Sequence, residues 1–253
     1  MSSTPSADES AVILTNKLKA HEPCVFTKFG DGTLWWMSGN PVQSANGEVY
    51  RPGIDAELRE AARTLAKLPH VYLGDQLTCS SGPYLEKEQR EFIRWDHAEG
   101  LTPSKVPITV SEPPPPDRWL HMETVLIHRL TPELLEFYRV LKADQRKKVM
   151  CAGMHLGGAR DLLSFEAFLQ SDPANEHTRA WATSHILATW DWDILLLAVG
   201  HASKLIAATL ASKFPDRTII ELGSALDPLF VGRTRSEQIE PEVAREYFKG
   251  LLS

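Results

Sequence analysis

Cysteine is scarce in this chain, with three among 253 residues. Cys24, Cys79 and Cys151 lie too far apart for a zinc-ligand spacing and are too few for a disulfide framework. All three read as reduced core thiols of a cytoplasmic protein. Long apolar runs are missing as well. None approaches the about 20 residues that a membrane-spanning helix needs, so no integral membrane segment is expected. The opening decapeptide, MSSTPSADES, has neither a basic start nor an apolar stretch, and residues 1–10 read as a disordered tail rather than a signal peptide. Excess positive charge is also lacking. With 27 Lys and Arg against 33 Asp and Glu, the net charge is −6, which gives no overall attraction to nucleic acid or anionic lipid while leaving room for a local basic patch. No sequence repeat is present. What remains is the composition of a soluble globular chain, 43% hydrophobic and 24% charged, long enough for one domain over residues 11–253.

The most informative stretch covers residues 191–235, DWDILLLAVGHASKLIAATLASKFPDRTIIELGSALDPLFVGRTR. Its unbroken apolar run at 194–199 predicts a strand buried on both faces of a parallel sheet. Gly200 ends it, and Leu205, Ile206 and Leu210 with interspersed alanines predict a helix that stops at Pro215. A second strand follows at 218–222 and stops at Gly223. Strand, glycine turn, helix, strand, glycine turn is half of a doubly wound sheet, and such sheets bind ligands at the carboxyl ends of their strands. Residues 200–204 and 223–227, with Ser224 among them, are therefore expected to line one crevice. At the first turn, a glycine, a helix amino terminus with His201 and the charge of Lys204 suit a diphosphate. The turn fits neither G-x-G-x-x-G nor a Walker loop, so an ordinary turn with a solvated lysine stays open beside that reading.

The remainder repeats the pattern. A helix is predicted at 11–20 and a strand at 24–29, which ends in Gly30, Asp31 and Gly32, an exposed turn displaying one carboxylate. The following Leu34, Trp35, Trp36 and Met37 form an aromatic wall, either core or a platform for a base or sugar. Asn46 and Gly47 mark a turn. Asp55 reads as the N-cap of a helix carrying Leu58, Ala62, Leu65 and Ala66. A strand is predicted at 70–73, ending at Gly74 and Asp75. A charged helix at 85–95 and a proline-dominated connection at 101–117 follow. A strand at 125–128 and a helix starting at Thr131 and Pro132 come next. The next unit has a strand at 148–152, a turn at Gly153, a loop with His155, and a helix at 159–169. Helices at 178–190 and 243–252 complete the reading.

Two patches resemble the glycosyltransferases of the GT-D fold, a Rossmann-like group that uses nucleotide sugars. TKFGDGTLWWMSG is similar to that family's strand end, usually Arg-Phe-Gly-Asp-Gly-Glu, whose Asp-x-Glu pair serves the nucleotide sugar and its metal. DILLLAVGHASKLIAATL followed by IIELGSALDPLF resembles its late strand, lysine-bearing glycine turn, helix and Asp-x-Gly-Ser strand end, and KKVMCAGMHLGGARDLL matches the preceding strand and loop more loosely. The resemblance implies an α/β fold with a doubly wound, mostly parallel sheet and helices on both faces. It also implies a UDP-sugar donor, glucose first, whose binding involves Lys28, Gly30, Asp31, Gly32, Gly153, His155, Gly200, His201, Lys204, Gly223 and Ser224, and a Mn2+ or Mg2+ ion at Asp31. Three positions depart from the pattern. Thr33 stands in place of the glutamate and is a poor ligand for a hard cation. Lys28 keeps the charge of the usual arginine without its fork, and Glu221 replaces an aspartate.

Transfer of a sugar requires a held diphosphate and a group that takes the proton of the acceptor hydroxyl. Asp31 suits a metal, a ribose hydroxyl or the donor sugar. Asp227 is the first candidate base, ahead of His155 and Asp75, and reads equally as a helix or turn cap. The acceptor implied first is a saccharide or glycoprotein glycan. A hydroxymethylated base in DNA is the alternative and would need Arg233 and Arg235 in a basic groove with the base flipped out. Loss of the glutamate at Thr33 leaves a third reading, a noncatalytic nucleotide-binding module.

Overall fold

The computed structural model describes residues 5–37, 48–75, 118–153, 156–171, 176–230 and 239–252. Among them seven strands form one sheet: β1 (Val25–Lys28), β2 (Val71–Asp75), β3 (Trp119–His121), β4 (Lys148–Ala152), β5 (Ala167–Gln170), β6 (Ile194–Ala198) and β7 (Thr218–Glu221). Their order is β3-β2-β1-β7-β6-β4-β5, and every pair is parallel. All carboxyl ends therefore lie along one edge. The chain leaves β1 in one direction through β2 and β3 and fills the other side with β4 to β7, so the switch in direction falls between β1 and β7, where such sheets hold ligands.

The helices are α1 (Ala7–Lys19), α2 (Asp31–Met37), α3 (Ile54–Lys67), α4 (Pro132–Ala143), α5 (Arg160–Leu163), α6 (Glu176–Thr189), α7 (Ala202–Lys213), α8 (Asp227–Phe230), α9 (Pro241–Tyr247) and α10 (Lys249–Leu252). Because strand side chains alternate, the sheet feeds two cores. Val25, Val71, Leu195, Leu197 and Ile219 pack with Trp36, Leu58, Leu65, Leu187, Ile206 and Leu210 from α2, α3, α6 and α7. Phe26, Leu120, Met150, Leu196 and Ile220 pack with Leu14, Phe137, Tyr138, Leu162 and Leu229 from α1, α4, α5 and α8. Each such side chain contributes about 1.5–3 kcal/mol by leaving water, which is why the strands read as continuous apolar runs. The doubly wound, Rossmann-like α/β architecture is the expected one, and within the described residues no helix is long and apolar enough to cross a membrane.

Local departures have physical causes. Helix α1 starts at Ala7, inside the expected tail, because Ser6 and Glu9 form a capping box and Ser10 is buried with its hydroxyl accepting the His121 N–H at 2.9 Å. The N-cap of α3 is Gly53, in a left-handed conformation, with Asp55 in the first turn instead. The strand expected at 125–128 is a turn and a short 3-10 segment, Ile127–Arg129, and the strand lies earlier, at β3. The helix expected at 159–169 is the four-residue α5 followed by β5, whose pairing with β4 overrides local propensity. The terminal helix is two short helices, α9 and α10. Cys24 and Cys151 are buried, and burial pushes the Cys24 thiol up to about 12. Cys79, Asn46, Gly47, the helix expected at 85–95 and the connection at 101–117 lie outside the described residues.

Candidate functional site

At the switch point four chain segments meet on the carboxyl edge. β1 delivers Lys28, β7 delivers Glu221 and then Gly223, β6 delivers Gly200 and His201, and α2 follows β1 directly. The DGTLWWM segment, from Asp31 on, is helix rather than open turn. Asp31 opens this helix, its side chain lying outside the described part of the structure. Trp36 is fully buried, so the aromatic wall is at this residue core and not ligand platform; the side chains of Leu34 and Trp35 are likewise outside the description.

Glu221 is the hub of the central strands. Its Oε2 accepts the Thr27 hydroxyl at 2.5 Å and the Lys28 backbone N–H at 3.1 Å, and its Oε1 accepts the Lys204 ammonium. Both partners of the ion pair are buried, with side chains 6% and 2% exposed. A buried pair of this kind holds together because further hydrogen bonds satisfy its remaining lone pairs. Lys204 also donates to the Gly200 carbonyl at 3.3 Å. Its charge is thus directed into the fold, contrary to the expectation of a cation offered to a diphosphate from the first turn of α7.

Lys28 is buried as well, 8% exposed. Its ammonium donates to the Leu222 carbonyl at 3.2 Å. Its Cε would lie 3.1 Å from a Cβ on Gly223, a residue at φ +58. A side chain on Gly223 would be strained by the backbone and crowd Lys28, so glycine here lets the lysine lie across the end of β7. The β6 turn is built on the same plan, with Gly200 at φ +59. After it, the His201 ring stacks on Trp36 at a centroid distance of 4.0 Å, and its Nδ1 shares a 2.9 Å hydrogen bond with the Thr33 hydroxyl. A Cβ on Gly32 would stand 3.4 Å from His201 Cε1. The buried Glu48 closes the group, accepting the His201 backbone N–H at 3.0 Å.

Lys28, Gly32, Gly200, His201, Lys204 and Gly223 are therefore brought together, with Gly30 in the same connection. Gly153 ends β4, which is paired in register with β6, and so occupies the same edge farther out. Ser224 and Asp227 continue from β7; the Asp227 N–H donates to the Ser224 carbonyl at 3.2 Å, and Asp227 opens α8. His155, Arg233 and Arg235 lie outside the described residues, as does the Asp75 side chain. Sequence reasoning missed Glu48, which is 153 residues from its partner His201 and sits in no periodic pattern. It treated Glu221 only as a substitution, because the hub appears once β1 and β7 are neighbours.

The Asp31 side chain, where the resemblance places a divalent cation, lies outside the described part of the structure. Among the described residues no three His, Cys, Asp or Glu side chains converge on a point where a metal could bind, and the Thr33 hydroxyl is engaged with His201.

No family model matches the sequence, and no curated protein does. Two solved structures of the domain of unknown function 1792, one of them a selenomethionine form, are similar to this chain. Each superposes with a TM-score of 0.52 at 16% identity, over 86% of this chain and 82% of the other. One of them is described as having "a distinct glycosyltransferase fold". At this identity the likeness is one of fold, and it is the fold that the seven parallel strands and their two helical layers build here.

Proposed function

We propose that this chain is a glycosyltransferase that moves a sugar, glucose first, from a UDP-sugar to an acceptor hydroxyl of a saccharide or glycoprotein glycan. The observation that carries the reading is the convergence of the Gly30–Thr33, Gly200–Lys204 and Gly223 segments at the β1/β7 switch point of a sheet shared with a described glycosyltransferase fold. In the proposed reaction the acceptor oxygen attacks the anomeric carbon as the bond to the UDP oxygen breaks. Charge developing on the leaving diphosphate is met by backbone N–H groups after Gly200 and by the Lys28 ammonium, and fixed donors of this kind act without reorganising. Asp227 is the proposed acceptor of the hydroxyl proton. Lys204 serves by holding Glu221, and through it Thr27 and the Lys28 backbone. No step is routed through a cation.

The engagement of Thr33 by His201 favours one competing reading, a module that binds the nucleotide without turning it over. Incubating the full chain with a panel of UDP-sugars, with and without Mn2+, and measuring UDP release separates the two. UDP release with at least one donor, lost in Lys28→Met, is the expected result. Tight UDP binding with no release from any donor leaves the binding module, and absence of UDP binding removes both.

A further inference from the structure

The Glu48 carboxylate sits at the amino end of α7. Its Oε1 accepts the His201 N–H at 3.0 Å, its Oε2 lies 3.7 Å from His201 Nε2, and the residue is 1% exposed. The carboxylate occupies the space that a side chain at position 200 would take, since a Cβ on Gly200 would stand 2.5 Å from either of its oxygens. α7 carries no acidic residue in its first turn, and its N-cap makes no side-chain hydrogen bond. The anion that a helix amino terminus favours is therefore supplied from a distant part of the chain. The segment bearing it is peripheral, since the next residue, Val49, is 62% exposed. Glu48 itself turns inward, and Tyr50 packs edge-on against Trp36 with ring centroids 5.8 Å apart.

A carboxylate and a phosphate ask the same of this turn: backbone N–H donors, the positive end of a helix, and a missing Cβ. Two anions do not share one such seat, because each would raise the cost of charging the other. We propose that Glu48 is an internal stand-in for the donor's diphosphate, filling the phosphate seat in the free protein and leaving it when a nucleoside diphosphate binds. The inference rests on the nucleotide crevice proposed above and adds the residue that sets how tightly that crevice holds its ligand. Glu48 weakens donor binding, and by the same competition it helps the product UDP depart.

UDP titrated calorimetrically into the full chain tests this. Glu48→Gln keeps an acceptor for the His201 N–H while removing the charge, and Glu48→Ala vacates the seat. Both are expected to bind UDP about tenfold more tightly than the native protein, a typical coupling between competing groups, with inorganic pyrophosphate following the same order. Hydrogen exchange on the native protein gives a readout that needs no variant to fold. With UDP, amides 48–50 are expected to lose protection while amides 202–206 gain it. Unchanged or weaker UDP binding in both variants, or protection gained at 48–50 as well, would show that Glu48 closes on the ligand and overturns the proposal while the crevice stands. Loss of UDP binding in Glu48→Gln only when Mn2+ is present makes Glu48 a cation ligand and likewise overturns it. If neither the native protein nor the variants bind UDP or pyrophosphate, the crevice itself is wrong and the proposal falls with it.

Discussion

Lys204 in the first turn of α7 donates to Glu221 at the end of β7, and neither side chain reaches solvent to any extent. This pair joins a helix to the two central strands, because Glu221 also accepts from Thr27 and from the Lys28 backbone. Removing one member leaves a buried charge without its partner, which costs about 3–5 kcal/mol. Lys204→Met and Glu221→Gln are each expected to lower stability by that order in urea unfolding. The double variant is expected to lose less than the sum, by about 1–3 kcal/mol, because neither charge is then stranded. Strict additivity would show that the two groups do not interact.

Gly200 faces two constraints that a double-mutant cycle separates. Its φ of +59 costs any L-residue about 1–2 kcal/mol, and its missing Cβ leaves room for the Glu48 carboxylate. Gly200→Ala in the native background is expected to exceed the conformational cost alone. In a Glu48→Ala background it is expected to fall back to that cost. Equal penalties in both backgrounds, measured by chemical denaturation, would mean that the carboxylate does not define the turn.

Thr33 replaces a glutamate of the resembled motif, yet it is buried and its hydroxyl is bonded to His201. Thr33→Val keeps the shape and loses the bond, for an expected cost of about 1 kcal/mol. Thr33→Glu is expected to cost more, about 1–3 kcal/mol, by overpacking a filled site. UDP release should not gain a Mn2+ requirement in that variant. A stable Thr33→Glu protein with newly Mn2+-dependent turnover would show that the position still serves a metal.

His70, just before β2, is held below its ordinary pKa by burial and secondarily by Arg118, and its Nε2 has no hydrogen-bond partner. The folded state thus favours the neutral ring, while the unfolded chain takes up a proton near pH 6.5, the usual histidine value. The stability it contributes is present above that value and is lost as pH falls toward the folded pKa. Melting temperature is expected to drop between about pH 7.5 and pH 5.5, and His70→Gln is expected to flatten part of that drop. An unchanged slope in the variant would assign the acid sensitivity to other groups.

The strands at β1, β4, β6 and β7 and the helix α4 with its Thr131 cap were legible because apolar continuity and capping chemistry are local signals. The glycines at 200 and 223 were legible for the same reason, since each ends an apolar run. β5 was not, because Ala167–Gln170 is half-exposed and owes its conformation to pairing with β4. The direction of Lys204 was misread for a related reason. A lysine in a helix's first turn looks the same whether it meets solvent or Glu221, and only the packing of α7 against the end of β7, which joins residues 17 positions apart, distinguishes them. Glu48 left no trace in local pattern at all.

The placement of β7 beside β1 has a consequence for synthesis. The strand at the middle of the finished sheet is the last strand among the described residues to leave the ribosome, so β1 waits with one apolar, hydrogen-bonding margin uncovered until residues near 221 emerge. A nascent chain halted before that point presents an open flank in its interior rather than a shortened rim, and it is there that a chaperone or a second nascent copy would engage it.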